Sequence, residues 1–189
     1  LQDREIEGSN RQIDYEAYLD FLQRFNHNFV RLWAWENTLG MNNEVKISPM
    51  PYERTGPGNA LDGKPKFDLT KFYQAYFERL RSRITAARNR GIYVSIMLFQ
   101  GVAGLGRGKG RAGNAWNGHL FNKDNNINGI DGDPAGVEEG YKVQTLEIPA
   151  ITRLQEAYVR KVIDTVSDLD NVLYEISNES HGSSTEWQY

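Results

Sequence analysis

Three amphipathic helices alternate with three short apolar strands along this chain, and that order constrains the fold more than any other feature. The predicted elements are, in order, a helix at 12–25, a strand at 28–35, a helix at 69–89, a strand at 92–99, a helix at 149–167 and a strand at 171–177. The helices carry apolar residues three and four positions apart, whereas the strands are continuous runs of β-branched and aromatic residues. This alternation implies a parallel sheet with right-handed crossovers.

Two long segments without periodicity, 36–67 and 100–148, each follow a predicted strand, whereas the turns that enter the strands are short. Asp68 is expected to cap the helix that follows the first of these loops. Long loops at one end and tight turns at the other are typical of the (β/α) barrel. We therefore predict an α/β fold, a partial (β/α)8 TIM-type barrel with its long loops at the C-terminal face, in a single domain spanning residues 1–189.

Composition excludes several classes of partner. The chain has 22 Lys and Arg against 25 Asp and Glu, a net charge of −3, so we expect no nucleic-acid partner. No apolar run approaches the roughly 20 residues that span a bilayer, so no membrane segment is expected. Because the opening segment is polar, we expect no signal peptide in it.

Metal and cofactor motifs are incomplete. The chain has no Cys, and its three His residues lack the H-x-x-x-H spacing of zinc hydrolases. Asp124 opens a D-x-N-x-N-G pattern, but Ala135 stands where a calcium loop needs its closing Glu. The glycine-rich segment 101–113 lacks the Lys-Ser or Lys-Thr pair of a phosphate-binding loop. We therefore predict no metal and no cofactor.

Strand alternation places charged residues on one face of the sheet. Arg31 alternates with aliphatic neighbours in the first strand, and Glu175 and, if the period continues, Glu179 share the corresponding face of the third strand. Buried charges are costly unless paired. One interpretation is an Arg31–Glu175 ion pair with Glu179 solvated at the rim. The other places Glu179 at the mouth as a proton donor, a role that suits Glu when partial burial raises its pKa.

The segments FNHNFVRLWAW and NVLYEISNES resemble the second and fourth strands of clan A glycoside hydrolases, the cellulase-like (β/α)8 superfamily, and IYVSIMLFQG looks like the third strand. The resemblance implies that Asn178 binds the sugar 2-hydroxyl and that Glu179 is the general acid/base. It implies that Arg31 orients the nucleophile. The implied reaction is retaining hydrolysis of β-glycosidic bonds in a polysaccharide or oligosaccharide.

One departure from the clan pattern leaves catalysis open. The clan nucleophile is a Glu at the end of strand seven, and Glu186, the one carboxylate after Glu179, does not match it. We therefore expect the acid/base portion of a glycoside hydrolase, and its status as an enzyme by itself is uncertain. The alternative is a non-catalytic carbohydrate-binding or self-assembling module, a homo-oligomer through open sheet edges. Because such hydrolases are generally exported, a secreted or periplasmic location is expected.

Further contacts to the carbohydrate substrate are predicted where strands end and loops begin. The side chains concerned are aromatic, amide, imidazole or carboxylate: Trp35, Glu36, Gln100, Trp116, His119 and His181. Trp35 is interpreted as a stacking platform for a sugar ring, whereas Trp33 is expected to fill the interior. For Glu36 and His181 the alternative is a merely solvated side chain.

Overall fold

A computed structural model describes residues 1–6, 9–40, 44–101 and 114–180. The helices are α1 (Tyr15–Arg24), α2 (Gln74–Arg88) and α3 (Pro149–Val166). The strands are β1 (Asp3–Ile6), β2 (Ser9–Arg11), β3 (Phe29–Trp33), β4 (Val45–Ser48), β5 (Tyr52–Asn59), β6 (Pro65–Phe72), β7 (Tyr93–Gln100) and β8 (Val172–Asn178). Two short 3-10 helices cover Ala115–Gly118 and Tyr141–Gln144.

Strands β3, β7 and β8 form a parallel sheet in that order, with β7 in the centre. These are the three predicted strands, and α2 and α3 connect them as predicted. One face of β3 and β7 is buried against the helices, with Val30, Val94 and Ile96 among its least exposed residues. The strand periodicity predicted this helix-facing side correctly for β3 and β7. On β8, however, Tyr174 and Ile176 remain substantially exposed.

The predicted partial (β/α)8 barrel is wrong. Within the described ranges the parallel sheet stays at three strands, and it is accompanied by two antiparallel sheets, of order β2-β1-β4 and β5-β6. Strands β4 and β5 and the start of β6 lie in the segment 36–67, which was predicted to be an irregular loop, and the rest of β6 lies where the helix 69–89 was predicted to begin. The strand β5 has the sequence YERTGPGN, whose Gly, Pro and polar residues disfavour a strand by propensity. Its backbone pairing with β6 decides the conformation instead.

The start of the second helix also differs from the prediction. Helix α2 begins at Gln74, and Asp68 lies within β6 instead of capping a helix. The Asp68 carboxylate accepts hydrogen bonds from the backbone N–H and the hydroxyl of Thr70, at 3.0 and 2.6 Å. These bonds hold the pKa of Asp68 down, at about 2. The apolar residues Leu69 and Phe72 fit a helical spacing by coincidence, because they also suit a half-buried strand.

The loop that follows β7 packs on a second apolar cluster next to the sheet. Trp116 and Phe121 from this loop pack with Phe67, Leu69 and Ile151. Asparagine side chains replace regular secondary structure as hydrogen-bond partners of its backbone. The Asn126 amide donates to three carbonyl oxygens, those of Leu120, Asn122 and Ile130. The loop is thereby held against the C-terminal end of the parallel sheet, where the predicted site residues lie.

Candidate functional site

A charged pair spans the face of the parallel sheet that the helices do not cover. Arg31 on β3 reaches across β7 and donates two hydrogen bonds to the Glu175 carboxylate on β8, with 2.5 Å between Nε and Oε2. The guanidinium also lies over the Trp33 ring, 4.9 Å from its centre. The hydrogen bonds to Glu175 raise the pKa of Arg31 above its ordinary value. The Arg31–Glu175 ion pair, which one of the two interpretations of the sequence contained, is thus present.

Asn178, the last residue of β8, is held from both sides. Its Oδ1 accepts a hydrogen bond from Nη2 of Arg31 at 2.9 Å, and its Nδ2 donates to Oε1 of Gln100 at 3.1 Å. These two contacts fix the direction in which the amide faces. One N–H of the Nδ2 group and one lone pair of Oδ1 remain beyond these two bonds. The side chain is half-buried, so a ligand can approach it.

Glu179 follows directly and is exposed, and its backbone adopts the left-handed conformation at φ 54°. This conformation is unfavourable for a residue with a β-carbon, and such strain concentrates at functional sites. Gly101, just after β7, lies against this turn. A β-carbon on Gly101 would overlap the Glu179 carbonyl group and come within 2.8 Å of the Ser180 Cα. Glycine at this position therefore lets the ends of β7 and β8 approach each other.

Glu36 lies close to the same strand ends but is mostly enclosed, with 12% of its side chain exposed. Its Oε2 accepts a hydrogen bond from the backbone N–H of Gln100 at 2.8 Å. Its Oε1 lies 3.8 Å from Nε2 of His119. Burial raises the pKa of Glu36 to about 7, although the hydrogen bond from Gln100 opposes this rise. The predicted substrate contact of this residue would require access that the fold limits.

His119 is buried and neutral. Its Nδ1 accepts a hydrogen bond from the backbone N–H of Phe121 at 3.1 Å, so the ring proton resides on Nε2, which faces Glu36. Burial lowers the pKa of His119 to about 3. Its ring stacks on Trp116, 5.0 Å between centroids. This arrangement places His119 as a fixed neutral donor beside a buried carboxyl group.

The predicted aromatic platforms differ in their accessibility. Trp116 is 4% exposed, and Gly140 and Gly132 pack so closely that a β-carbon on either would overlap its ring. Trp35 is half-buried, and the guanidinium of Arg4 lies 5.8 Å from its ring centre. Its ring is 5.5 Å from that of Trp33. Of Trp35 and Trp116, only Trp35 therefore offers a ring surface that a sugar could reach, whereas Trp116 is part of the apolar core beneath the loop.

The structure thus brings most of the predicted site residues into one connected region at the strand ends. These are Arg31, Glu36, Gln100, His119, Asn178 and Glu179. His181 lies outside the described residues, so its predicted contact stays a prediction. Sequence reasoning missed Gly101, which it grouped with a flexible glycine-rich loop. Its only signal in the sequence was its position directly after the β7 strand.

Sequence reasoning also missed a cavity beside Glu36. The cavity has a volume of about 20 Å³, room for about one water molecule, and three tyrosines from β5, α2 and α3 line it: Tyr52, Tyr76 and Tyr158. The hydroxyls of Tyr76 and Tyr158 lie 3.3 Å apart. Burial raises the pKa of each of these tyrosines. In the sequence, Tyr76 and Tyr158 fit the apolar helix stripes and gave no sign of a polar neighbour.

Two further searches concern the described residues alone. Among them, no cluster of three or more His, Asp or Glu side chains is arranged to hold a metal ion. Nor does any helix in the described ranges combine the length and apolar character needed to cross a membrane.

Comparison with known proteins gives one structural and one family match. The fold is similar to the crystal structure of "a putative glycoside hydrolase" from Bacteroides vulgatus ATCC 8482, with a TM-score of 0.52 and 16% sequence identity. The match covers 89% of this chain and 26% of the other, so this chain spans about a quarter of that protein's length. No curated protein matches the sequence. The model of the domain of unknown function DUF6298 matches residues 47–188, and the chain therefore belongs to the DUF6298 family.

Proposed function

We propose that this chain carries the general acid/base and the hydroxyl-binding part of a glycoside hydrolase site, with Glu179 as the general acid/base. The observation that carries the proposal is the Asn178–Glu179 pair at the end of β8, of which Asn178 is held by Arg31 and Gln100. The description of the structural neighbour as a glycoside hydrolase supports the same class of reaction. The substrate is a β-linked polysaccharide or oligosaccharide.

In the proposed reaction, Glu179 protonates the glycosidic oxygen as the bond to the leaving sugar breaks. It then removes a proton from the water that hydrolyses the glycosyl-enzyme intermediate, with retention of configuration. Asn178 binds the 2-hydroxyl of the sugar through the polar valences that its bonds to Arg31 and Gln100 do not use. Because those two bonds fix the amide, it is oriented before the substrate arrives.

A retaining mechanism needs a second carboxylate about 5–5.5 Å from the first. Glu36 and Glu175 are the acids already bonded within the described network, the first to the backbone of Gln100 and the second to Arg31. Because both carboxylates are engaged in this way, the proposal assigns the acid/base alone and names no nucleophile.

Trp35 is proposed to stack on a sugar ring, and Gln100 and His181 remain proposed substrate contacts. A secreted or periplasmic location is proposed on the resemblance alone.

The test is hydrolysis of a panel of aryl β-glycosides and β-linked oligosaccharides by the full natural polypeptide. Glu179→Gln is expected to lower turnover about 100-fold or more, since general acid–base catalysis contributes about 10²–10⁴-fold. The matched control is Glu78→Gln, which changes an exposed carboxylate on α2 and is expected to leave turnover unchanged. Turnover that survives Glu179→Gln intact would refute the assignment.

A second candidate, a self-assembling or carbohydrate-binding module without catalysis, is favoured by the uncovered face of the parallel sheet. Phe29, Tyr93 and Leu173 are each about half-exposed on this face. Light scattering would show a concentration-dependent dimer if two copies cover it. Calorimetry with the same oligosaccharides would then show binding without hydrolysis. A monomer that hydrolyses substrate would exclude this candidate.

A further inference from the structure

We propose that Glu36 is a positioning residue for the Asn178–Glu179 pair, which it aligns through Gln100 and Gly101 at the end of β7. Its carboxyl group contacts neither residue of the pair directly in the described geometry. The catalytic significance of this inference rests on the proposed function. The coupling itself, between the mostly enclosed carboxyl group of Glu36 and the end of β7, does not. That coupling can be measured without substrate.

Two routes lead from Glu36 to the pair, and both pass through Gln100. The Glu36 carboxyl group accepts the backbone N–H of Gln100 at 2.8 Å, which fixes the backbone where β7 ends. The side chain of Gln100 accepts from Asn178 at 3.1 Å, which is the first route. The next residue, Gly101, packs against the Glu179 backbone with no room for a β-carbon, which is the second. A shift of the β7 end would therefore move both members of the pair.

The surroundings of Glu36 make its charge state consequential. The titratable groups that face it come from four elements: Tyr52 on β5, Tyr76 on α2, Tyr158 on α3 and His119 in the loop after β7. All four are neutral at pH 7, because burial raises the pKa of the tyrosines and lowers that of His119. Among the described residues, the ionised carboxylate therefore relies on the hydrogen bond from the Gln100 N–H and on the Nε2–H dipole of His119, 3.8 Å away, instead of a countercharge.

Protonation of Glu36 would weaken the bond from Gln100, because hydrogen bonds to an ionised acceptor are roughly twice as strong as those between neutral groups. Burial raises the pKa of Glu36 to about 7, so the change falls near neutral pH. The end of β7 then has two hydrogen-bonding states, and the amide of Asn178 and the backbone of Gly101 report which one is populated. This makes the alignment of the proposed acid/base pair dependent on pH.

The experiment is an NMR titration of the full natural polypeptide between pH 4.5 and 9, without ligand. The probes are the side-chain carbon of Glu36, the side-chain amide of Asn178 and the backbone amide of Gly101. We expect all three resonances to shift with one common midpoint near 7. In Glu36→Gln, the shifts of Asn178 and Gly101 around that midpoint are expected to be lost, whereas Glu78→Gln should leave them unchanged.

Two results would overturn the inference. One is a Glu36 midpoint below about 5 in the wild-type protein, a measurement that needs no variant to fold. The other is a titration of Asn178 and Gly101 that persists in Glu36→Gln, since another group would then drive it. Neither readout depends on hydrolysis. A protein that shows the common midpoint but no turnover would therefore refute the proposed function and leave the coupling intact.

Discussion

Replacing Glu36 by Gln is expected to stabilise the protein at alkaline pH and to leave its stability almost unchanged at acid pH. The amide keeps the size of the side chain and an oxygen that accepts the N–H of Gln100. It removes the ionisation of a side chain that is 12% exposed and surrounded by tyrosines and a neutral His119. The gain therefore measures what ionisation of Glu36 costs the native state.

The size of the effect follows from the pKa. In the native protein burial raises the pKa of Glu36 from 4.5 to about 7. At about 1.4 kcal/mol for each pH unit between these values, ionisation costs the native state about 3 kcal/mol. Below pH 4.5 the carboxyl group is protonated in both states, and its contribution to stability is fully present. As the pH rises towards 7 the unfolded chain ionises first, so that contribution is lost, and above 7 the loss is constant.

The assay is urea unfolding of wild type and Glu36→Gln at pH 4.5, 6 and 8.5, with the free energy of unfolding extrapolated to water. The difference between the two proteins is expected to grow from near zero to as much as about 3 kcal/mol in favour of the variant. Using this difference cancels the titration of all other groups that both proteins share. A difference that is constant across the three pH values would refute the burial argument for Glu36.

Three further experiments test the packing and pairing around the site. Gly101→Ala places a β-carbon against the Glu179 backbone and is expected to lower the free energy of unfolding by about 1–3 kcal/mol in urea titrations. An unchanged free energy of unfolding would contradict the close approach of the two strand ends. In a double-mutant cycle, Arg31→Met and Glu175→Gln are expected to show a coupling free energy of about 0.5–1 kcal/mol, because both side chains are about one-third exposed. If the two losses of stability simply add, the ion pair contributes nothing to stability. Gly140→Ala adds a β-carbon that overlaps the Trp116 ring, at a position whose φ of 59° disfavours alanine. It is expected to change the near-UV circular dichroism of tryptophan and to lower the melting temperature. An unchanged spectrum would contradict the close packing of Gly140 on Trp116.

The parallel sheet could be predicted because the types of side chain along each strand indicate which face of the strand is buried. Val94 and Ile96 are buried against the helices, and their β-branched, apolar character in an alternating strand indicates this directly. One of the two interpretations paired Arg31 with Glu175 for a similar reason, because opposite charges on one face of a sheet are costly unless they meet, and the structure contains this pair across β7. In both cases the information lies within a few residues of each strand.

The antiparallel hairpin could not be predicted in this way. Strand β5 contains Gly56, Pro57 and Gly58, residues that normally mark a loop, and half of its residues are exposed. Its stability comes from backbone pairing with β6, and the pair is anchored by buried Tyr52 on β5 and by Phe67 and Leu69 on β6. Backbone hydrogen bonds leave no side-chain signature, so the sequence favoured a loop. The prediction of a partial barrel failed for a related reason. It treated the segments without periodicity as irregular connections between barrel strands, although one of them contains antiparallel strands.

The role of Glu36 shows where sequence reasoning about the site reaches its limit. As a polar residue just beyond a strand, it was interpreted either as a substrate contact or as a solvated side chain. Its burial instead depends on His119, from a loop more than 80 positions later, and on tyrosines from three separate elements. Asn178 and Glu179 could be proposed from the sequence because the pair is local to the end of β8. A group that acts by holding other groups in place becomes visible only once the tertiary contacts are known, so Gly101 and the proposed positioning role of Glu36 had to come from the structure.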